Sequence, residues 1–304
     1  MEHRRIGSLE VSVIGLGCNN FGWRLDAEST AGVVHAALDA GIDFFDTAEL
    51  YGEGRSEEYL GRALQGRRQS VVIATKFGYK TAPSHRRGHP DNVRRAADAS
   101  LKRLGTDYID LFQLHSPDPT IPVADTLGAL DELVQQGKVR EVGCSNFSVA
   151  QLEEAEHAVQ PGAARFVSVQ NEYSLMHREP EVEVLPECAR LGIAFIPYYP
   201  LASGLLTGKY RRGRPLPKGT RLAEGSAMLT DENLAVVEEL IQFAESKGHT
   251  VLELAIGWLL SHPAVASVIA GATKPEQARG NASSTQWRLS EDERAAVDAL
   301  AVYS

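Results

Sequence analysis

Residues 41–54 have the sequence GIDFFDTAELYGEG. The run from Ile42 to Phe45 is short and apolar, which is typical of a buried strand. Asp46 follows at the end of this run, and Tyr51 comes five positions later in a glycine-flanked turn. Because a carboxylate at a strand end and a phenol in the next loop can face one cavity, the stretch predicts a functional site at one edge of a sheet.

Strands and helices alternate on both sides of this stretch. Apolar strand candidates lie near residues 13, 42, 71, 109, 139, 166, 193 and 266, and helical periodicity separates them. Strands buried on both faces between helices indicate a parallel sheet. Eight such units in about 250 residues predict an α/β fold, a closed (β/α)8 TIM barrel. The alternative is an open doubly wound sheet, but the first strand–loop junction, GLGCNNFG at 15–22, lacks the GxGxxG pattern of that fold.

Additional elements are predicted at both ends of the barrel. A turn at Gly7-Ser8 divides residues 5–13 into an N-terminal β-hairpin, and residues 290–300 form a C-terminal extra helix with a capping box. Ser56 is the expected N-cap of a helix over 56–64. No linker marks a second domain, so residues 1–304 are expected to form a single domain. The irregular segment 198–228 is long for a loop, which is typical of a functional one.

Composition excludes several classes of function. The net charge of −9 gives no broad attraction for nucleic acid or for an acidic membrane surface. The three cysteines, Cys18, Cys144 and Cys188, form no CxxC pair and no metal-ligand cluster, so reduced thiols and no metal are expected. Neither a signal peptide nor an apolar run of about 20 residues is present, so a cytoplasmic protein is expected.

Titratable residues fall where the chemistry of a barrel belongs, at the carboxyl ends of the strands and in the loops after them. Asp46, Lys76 and His115 end three consecutive strands, and Tyr51 lies in the loop after the first of these. A tyrosine, with an ordinary pKa near 10, becomes a useful proton donor if a cation favours its phenolate. Lys76 can supply that cation with Asp46 as its partner, while His115 can orient a substrate oxygen.

These residues together indicate a general acid beside a carbonyl group. The sequence shows no positioned nucleophile, metal cluster or carboxylate pair that would favour hydrolysis. A carbonyl protonated on oxygen must also receive a group on carbon, and no side chain here can deliver it. This points to a hydride cofactor.

The chain resembles the aldo-keto reductases over essentially its whole length. The matching stretches are GIDFFDTAELYGEGRSEEYLGRAL (41–64), ATKFG (74–78), DLFQLHSPD (110–118), GKVREVGCSNFS (137–148), VQNEYSL (169–175), YYPLASGLLTGKY (198–210) and IAGATKPEQARGNA (269–282). The resemblance implies a (β/α)8 barrel and a catalytic tetrad. In that tetrad Tyr51 is the general acid/base, Lys76 lowers its pKa, Asp46 partners the lysine and His115 orients the substrate.

The resemblance also implies a nicotinamide cofactor and its contacts. Ser145, Asn146 and Gln170 are expected to hold the carboxamide, and Tyr198 is expected to stack on the ring. Two further groups are expected at the phosphates: Pro200, Leu201, Ser203, Gly204, Leu205 and Lys209 at the pyrophosphate, and Gly271, Thr273, Lys274, Gln277 and Asn281 at a 2′-phosphate. Members that prefer NADPH often carry a basic residue where Gln277 stands and a glutamate where Gly280 stands. Gln277 and Gly280 depart from that pattern. Thr273, Lys274 and Arg279 can still meet a 2′-phosphate, so NADP(H) is the expected cofactor, with NAD(H) as the alternative.

The expected substrate is a small aldehyde or ketone, or a sugar, interconverted with its alcohol. The substrate-binding residues implied are Trp23, Tyr51, Phe77 and His115, with loop 78–89 and its basic run 85–89 as the variable wall. One alternative function is a redox-sensing regulatory subunit of the same fold that binds the cofactor. Another is a cofactor-free hydrolase or isomerase, which requires the matches after the fifth, seventh and eighth strands to be accidental.

Overall fold

Eight parallel strands form the central sheet of the computed structural model, which describes residues 1–79, 87–222 and 225–301. In chain order the strands are β3 (Ile14–Gly17), β4 (Phe44–Asp46), β5 (Val72–Phe77), β6 (Ile109–Leu114), β7 (Val139–Ser145), β8 (Phe166–Glu172), β9 (Ala194–Tyr198) and β10 (Val268–Gly271). Each strand from β3 to β8 pairs with the next, and β10 pairs with β3. Phe195 also exchanges backbone hydrogen bonds of 2.8 and 3.0 Å with Ala264 and Ala266, which closes the sheet before β10. The predicted barrel is confirmed, and an open sheet is excluded.

Helices connect these strands around the outside. They are α1 (Ala27–Asp39), α2 (Arg55–Ala63), α3 (Pro90–Leu104), α4 (Val123–Gln135), α5 (Val149–Ala158), α6 (Val184–Leu191), α7 (Asp231–Ser246), α8 (Val251–Leu260), α9 (Pro275–Ser283) and α10 (Glu291–Leu300). The predicted capping box of α10 is present, with Ser290 as N-cap and Glu293 reaching back to it. Across the described ranges, none of the helices has the length and apolarity needed to cross a bilayer.

The predicted N-cap of α2 is wrong. Gly54 occupies that position in a left-handed conformation, with φ 89°, and Ser56 lies inside the helix. The Ser56 hydroxyl instead donates to the carbonyl of Cys18 at 2.9 Å and lies 2.8 Å from the hydroxyl of Thr47. Ser56 therefore joins α2 to the loops after β3 and β4, a contact between distant segments that capping preferences do not reveal.

The predicted hairpin covers the amino-terminal end of the barrel. It consists of β1 (His3–Ile6) and β2 (Leu9–Ser12), which pair antiparallel. Its buried side chains Ile6, Leu9 and Val11 join the apolar cluster inside the barrel. Apolar packing therefore fills the amino-terminal end of the barrel. A functional site is expected at the opposite, carboxyl-terminal end.

A close helix contact gives a stability prediction. A Cβ on Gly61, in α2, would overlap the backbone carbonyl of Leu104 at the end of α3. Gly61→Ala is therefore expected to destabilise the fold by about 1–3 kcal/mol, the usual cost of overpacking. Gly128 in α4 has open space around it, so Gly128→Ala is the matched control and should stabilise the fold by about 0.5–1 kcal/mol. Urea unfolding of both variants checks this; equal effects would contradict the contact.

Candidate active site

A buried ion pair lies at the carboxyl end of β4 and β5. Lys76 Nζ donates to Asp46 Oδ2 at 2.6 Å, and the side chains of Lys76 and Asp46 are 0% and 4% exposed. The lysine also donates to the backbone carbonyl of Thr47 at 2.9 Å. Because an unpaired buried charge is very costly, these contacts keep the ammonium charged inside the protein.

Gln170 completes the surroundings of the carboxylate. Its Nε2 donates to Asp46 Oδ1 at 2.9 Å, from β8 on the far side of the barrel. Each carboxylate oxygen therefore has a donor, and the orientation of Asp46 is set by two strands other than its own. Sequence reasoning missed this contact, since only barrel closure brings the ends of β4 and β8 together.

Tyr51 and His115 lie next to the pair. Lys76 Nζ is 5.2 Å from the centre of the Tyr51 ring. The ring centres of Tyr51 and His115 are 6.0 Å apart, with the rings edge to face. Tyr51 opens a short 3-10 helix, Tyr51–Gly54, whose Gly52 and Glu53 have positive φ angles of 57° and 59°. All four residues expected in the tetrad therefore converge on one cavity.

The pKa of Tyr51 differs from the expectation. Burial, and then the negative charge of Asp46, raise this pKa well above the ordinary value of 10. The cation expected to lower it, Lys76, is engaged by Asp46 at 2.6 Å. The phenol therefore keeps its proton at neutral pH and is available as a donor.

The side chain of His115 is neutral. Burial, and then the nearby charge of Lys76, lower its pKa from 6.5 to about 3. A neutral imidazole can donate one hydrogen bond to a substrate oxygen while accepting another. His115 can therefore orient a substrate oxygen through a hydrogen bond, and it is not a second cation beside Lys76.

This pKa predicts how the fold responds to acid. The unfolded chain binds a proton at His115 below about pH 6.5, and the folded chain does not until about pH 3. Above about pH 6.5 His115 is neutral in both states and does not lower the free energy of unfolding. As the pH falls from there towards 3, the free energy of unfolding falls progressively. Between pH 7 and pH 5 the free energy of unfolding should fall by about 2 kcal/mol from this group, at about 1.4 kcal/mol per pKa unit. His115→Gln should remove that part of the slope in urea unfolding, and the exposed His157→Gln should keep it.

The ends of β7, β8 and β9 bring together the residues expected at a carboxamide. The Ser145 hydroxyl donates to the backbone carbonyl of Gln170 at 2.7 Å. The Asn146 amide donates to the His115 carbonyl at 2.9 Å and accepts from the Tyr198 hydroxyl at 2.9 Å. Asn146 is held at φ 62°, a left-handed conformation that non-glycine residues adopt at a cost. This network holds Asn146 between His115 and Tyr198, next to the expected tetrad.

The segment after β9 presents an unusual backbone. Tyr199, Ala202 and Ser203 all have positive φ, between 46° and 57°, and Gly204 has φ 96°. Successive N–H groups in such conformations form concavities that suit anions. Leu205 is fully buried, so its side chain belongs to the core. Lys209 folds back over Gly204, with Nζ 2.7 Å from the place of a Cβ there.

Helix α9 follows β10 at the same end of the barrel. Its first residue is Pro275, and its N-cap, Lys274, makes no side-chain capping bond. Gln277 folds back so that its Oε1 accepts from the Thr273 backbone N–H at 2.7 Å. Asn281 is buried, whereas Gly271 is exposed. The residues expected at a 2′-phosphate thus surround an open helix start, where free N–H groups favour an anion.

The sequence profile of the aldo/keto reductase family matches residues 13–302, nearly the whole chain. The chain belongs to the aldo/keto reductase family. Reductases of this family are oxidoreductases that use nicotinamide cofactors and bind small carbonyl compounds.

Individual proteins are similar to this chain over nearly their full lengths. The aldo-keto reductase YhdN of Bacillus subtilis is 34% identical, covering 99% of this chain and 93% of its own. A probable voltage-gated potassium channel subunit beta of Arabidopsis thaliana is also 34% identical, covering 92% and 90%. Among solved structures, the glycerol dehydrogenase of Gluconobacter oxydans superposes with a TM-score of 0.86 at 31% identity, covering 98% and 94%. The holo form of a Bacillus halodurans aldo-keto reductase gives 0.82 at 31%, covering 99% and 96%.

The residues expected at the substrate fall in different places. Trp23 is 65% exposed in the loop after β3, with the Arg24 guanidinium 4.9 Å from its ring centre. Phe77 is instead fully buried and stacks on Phe112 at 4.6 Å between ring centres, in the apolar layer outside the strands. Because neighbouring residues of a strand point to opposite faces, Phe77 faces away from the cavity that Lys76 enters. Its assignment to the substrate is therefore withdrawn.

Part of the expected variable wall is outside the described residues. Residues 80–86, which include most of loop 78–89 and the start of its basic run, lie there. Tyr79, at its edge, contacts His115 with 4.7 Å between ring centres. Within the ranges that are described, no group of three or more His, Cys, Asp or Glu residues could hold a metal ion.

Proposed function

We propose that the protein is an NADP(H)-preferring oxidoreductase that interconverts a small aldehyde or ketone and its alcohol, acting as one domain over residues 1–304. The observation that carries this proposal is the convergence of Tyr51, His115 and the Asp46–Lys76 pair, the latter joined at 2.6 Å, on one cavity. Reduction needs a proton donor for the carbonyl oxygen and a group that orients this oxygen. Both are present.

Each residue has a defined task in this proposal. Tyr51 gives its proton to the carbonyl oxygen as the oxygen becomes negative. Lys76 stabilises the phenolate left behind through its charge, and Asp46 keeps that charge in place. His115 donates a hydrogen bond to the same oxygen and so fixes the carbonyl relative to Tyr51. In the reverse direction Tyr51 takes the proton back from the alcohol.

The residues present fit a nicotinamide cofactor. Asn146 Oδ1 accepts one hydrogen bond from Tyr198, and a carbonyl oxygen can accept a second. Gln170 uses its Nε2 on Asp46 and leaves its amide oxygen as an acceptor for a carboxamide N–H. When bound there, a reduced nicotinamide supplies the hydride for the carbonyl carbon. The segment 199–204, with left-handed backbone at Tyr199, Ala202, Ser203 and Gly204, would hold the pyrophosphate, and Tyr198 would stack on the ring.

Preference for NADP(H) is proposed from the start of α9. Lys274 is exposed there and forms no ion pair with any described residue, so its charge is available to a 2′-phosphate. Thr273 lies beside it, and the helix start favours anions. Arg279 is partly engaged by Glu276 at 3.9 Å.

Lys274→Ala is expected to weaken NADPH binding roughly 10- to 100-fold, the worth of one hydrogen bond to a charged group. NADH binding should change little, because NADH lacks the 2′-phosphate. Quenching of protein fluorescence by each cofactor measures both constants. Lys218→Ala, on the exposed segment before α7, is the control. Equal losses for the two cofactors would contradict a role at the 2′-phosphate.

Turnover tests the proposed reaction directly. Loss of reduced-nicotinamide absorbance should follow the addition of aldehydes, ketones or ketoses, and NADP⁺ should be reduced when alcohols such as glycerol are supplied instead. Tight cofactor binding with no turnover across such a panel would argue against an enzyme.

The likeness to the Arabidopsis channel subunit supports a second candidate, a regulatory subunit that binds the cofactor and reports redox state. It predicts cofactor binding with little turnover and a partner that co-purifies with the chain. A tetrad whose members are all present favours the enzyme. Co-purification from the native cell, with and without oxidised cofactor, separates the two functions.

A further inference from the structure

Two polar side chains lie inside the barrel, one layer below the catalytic residues. Gln113 on β6 and Ser168 on β8 are both 0% exposed. Gln113 is the register partner of Lys76 on one side and of Gly143 on the other. A Cβ on Gly143 would lie 2.5 Å from Ser168 Oγ and 3.2 Å from Gln113 Cγ. The two polar side chains therefore lie close together against residue 143, where they leave no room for a side chain.

The polar atoms of these two side chains lack hydrogen-bond partners. Neither the amide nitrogen nor the amide oxygen of Gln113, nor the hydroxyl of Ser168, has a partner among the described residues. An unsatisfied buried polar group costs about 1–3 kcal/mol. Three such atoms on adjacent side chains offer the two to four polar partners that an internal water molecule requires.

A fourth unpartnered atom belongs to His115, the residue that follows β6. His115 Nδ1 is buried and has no partner in the described part of the chain. His115 directly follows β6 and is two residues from Gln113, so their side chains are on one face, with their Cα atoms about 7 Å apart. Because the imidazole is neutral, the group that meets Nδ1 decides which ring nitrogen carries the hydrogen.

We propose that Gln113 and Ser168 hold an internal water molecule, and that this water donates to His115 Nδ1. Nδ1 is then the acceptor, and Nε2 carries the hydrogen and presents it to the cavity. Gln113 and Ser168 are thus positioning residues that act on the imidazole through water. The value of this arrangement for catalysis rests on the proposed function, in which His115 donates to the carbonyl oxygen, but the water site itself does not.

Nitrogen-15 NMR of the histidine rings tests the proposal on the protein without cofactor or substrate. The His115 signals are assigned by their loss in His115→Gln. In the wild type, Nε2 is expected to carry the hydrogen. Gln113→Leu keeps the volume but removes both amide atoms, and Ser168→Ala removes the hydroxyl. Each should change the ratio of the two tautomers towards Nδ1–H, roughly 2- to 10-fold, as the loss of one hydrogen bond implies.

Ser267→Ala is the matched control, because Ser267 is also 0% exposed but donates to the Ser12 carbonyl at the other end of the barrel. It should leave the His115 tautomer unchanged. The proposal is overturned if Gln113→Leu and Ser168→Ala both leave the ratio as in the wild type, or if Ser267→Ala shifts it equally. A crystal structure showing no water density between Gln113, Ser168 and His115 would overturn it as well. None of these results depends on turnover, so failure of the proposed reaction would be recognised separately.

Discussion

Tyr51→Phe is expected to lower kcat for carbonyl reduction by about 10²–10⁴-fold, the usual effect of removing a general acid. The phenol keeps its proton at neutral pH, since burial and the charge of Asp46 raise its pKa. Phenylalanine keeps the ring and its 6.0 Å contact with His115 but removes that proton. Stopped-flow measurement of a single turnover with NADPH and an aldehyde reads the chemical step directly.

Tyr108→Phe is the matched control for this substitution. Tyr108 lies just before β6, with the Arg68 guanidinium 4.0 Å from its ring centre, at the end of the barrel opposite the cavity. It should turn over like the wild type. Tyr51→Phe should also bind NADPH normally, so that the loss is assigned to proton transfer. Near-normal single-turnover rates in Tyr51→Phe would eliminate Tyr51 as the acid.

Lys76→Met is expected to affect stability as well as activity. It would leave the Asp46 carboxylate, 4% exposed, without its cation at 2.6 Å. Breaking a buried pair by removing one partner costs about 3–5 kcal/mol. Urea unfolding gives the free energy, and single-turnover kinetics on the folded fraction gives the loss of rate.

Two further variants separate the buried pair from lysine in general. Lys138→Met removes an exposed pair, Lys138–Asp98 at 2.7 Å, and should cost no more than about 1 kcal/mol. In the double variant, Asp46→Asn with Lys76→Met, no charge is stranded, so much of the stability should return while activity stays low. A double variant no more stable than Lys76→Met would show that the loss comes from packing rather than from the charge.

The sequence was sufficient for the barrel and for the candidate tetrad because both follow from local patterns. Alternation of strands and helices predicts the barrel, and a residue at a strand end must lie at the carboxyl rim. Contacts across the barrel were not predictable in this way. The bond from Gln170 to Asp46 joins positions 124 residues apart, and it exists only once β4 and β8 face each other.

Two other differences have equally physical reasons. Phe77 was assigned to the cavity, although strand alternation beside Lys76 turns it outward against Phe112. The pKa of Tyr51 was expected to be low because a cation was expected nearby. Burial instead raises the pKa of Tyr51. How deeply a side chain is buried depends on its packed surroundings and not on which residues are its neighbours in the chain.

The closure of the barrel before β10 has a consequence for local opening. Two backbone hydrogen bonds from Phe195 hold β9 to residues 264–266, whereas β8 and β9 pair over five registered positions. Partial unfolding is least costly where few backbone bonds must break. The segment after β9 and the start of α9 lie on opposite sides of this junction. A ligand that binds both would hold the junction shut, so the slowing of amide hydrogen exchange at Phe195 and Ala266 would report its binding from inside the fold.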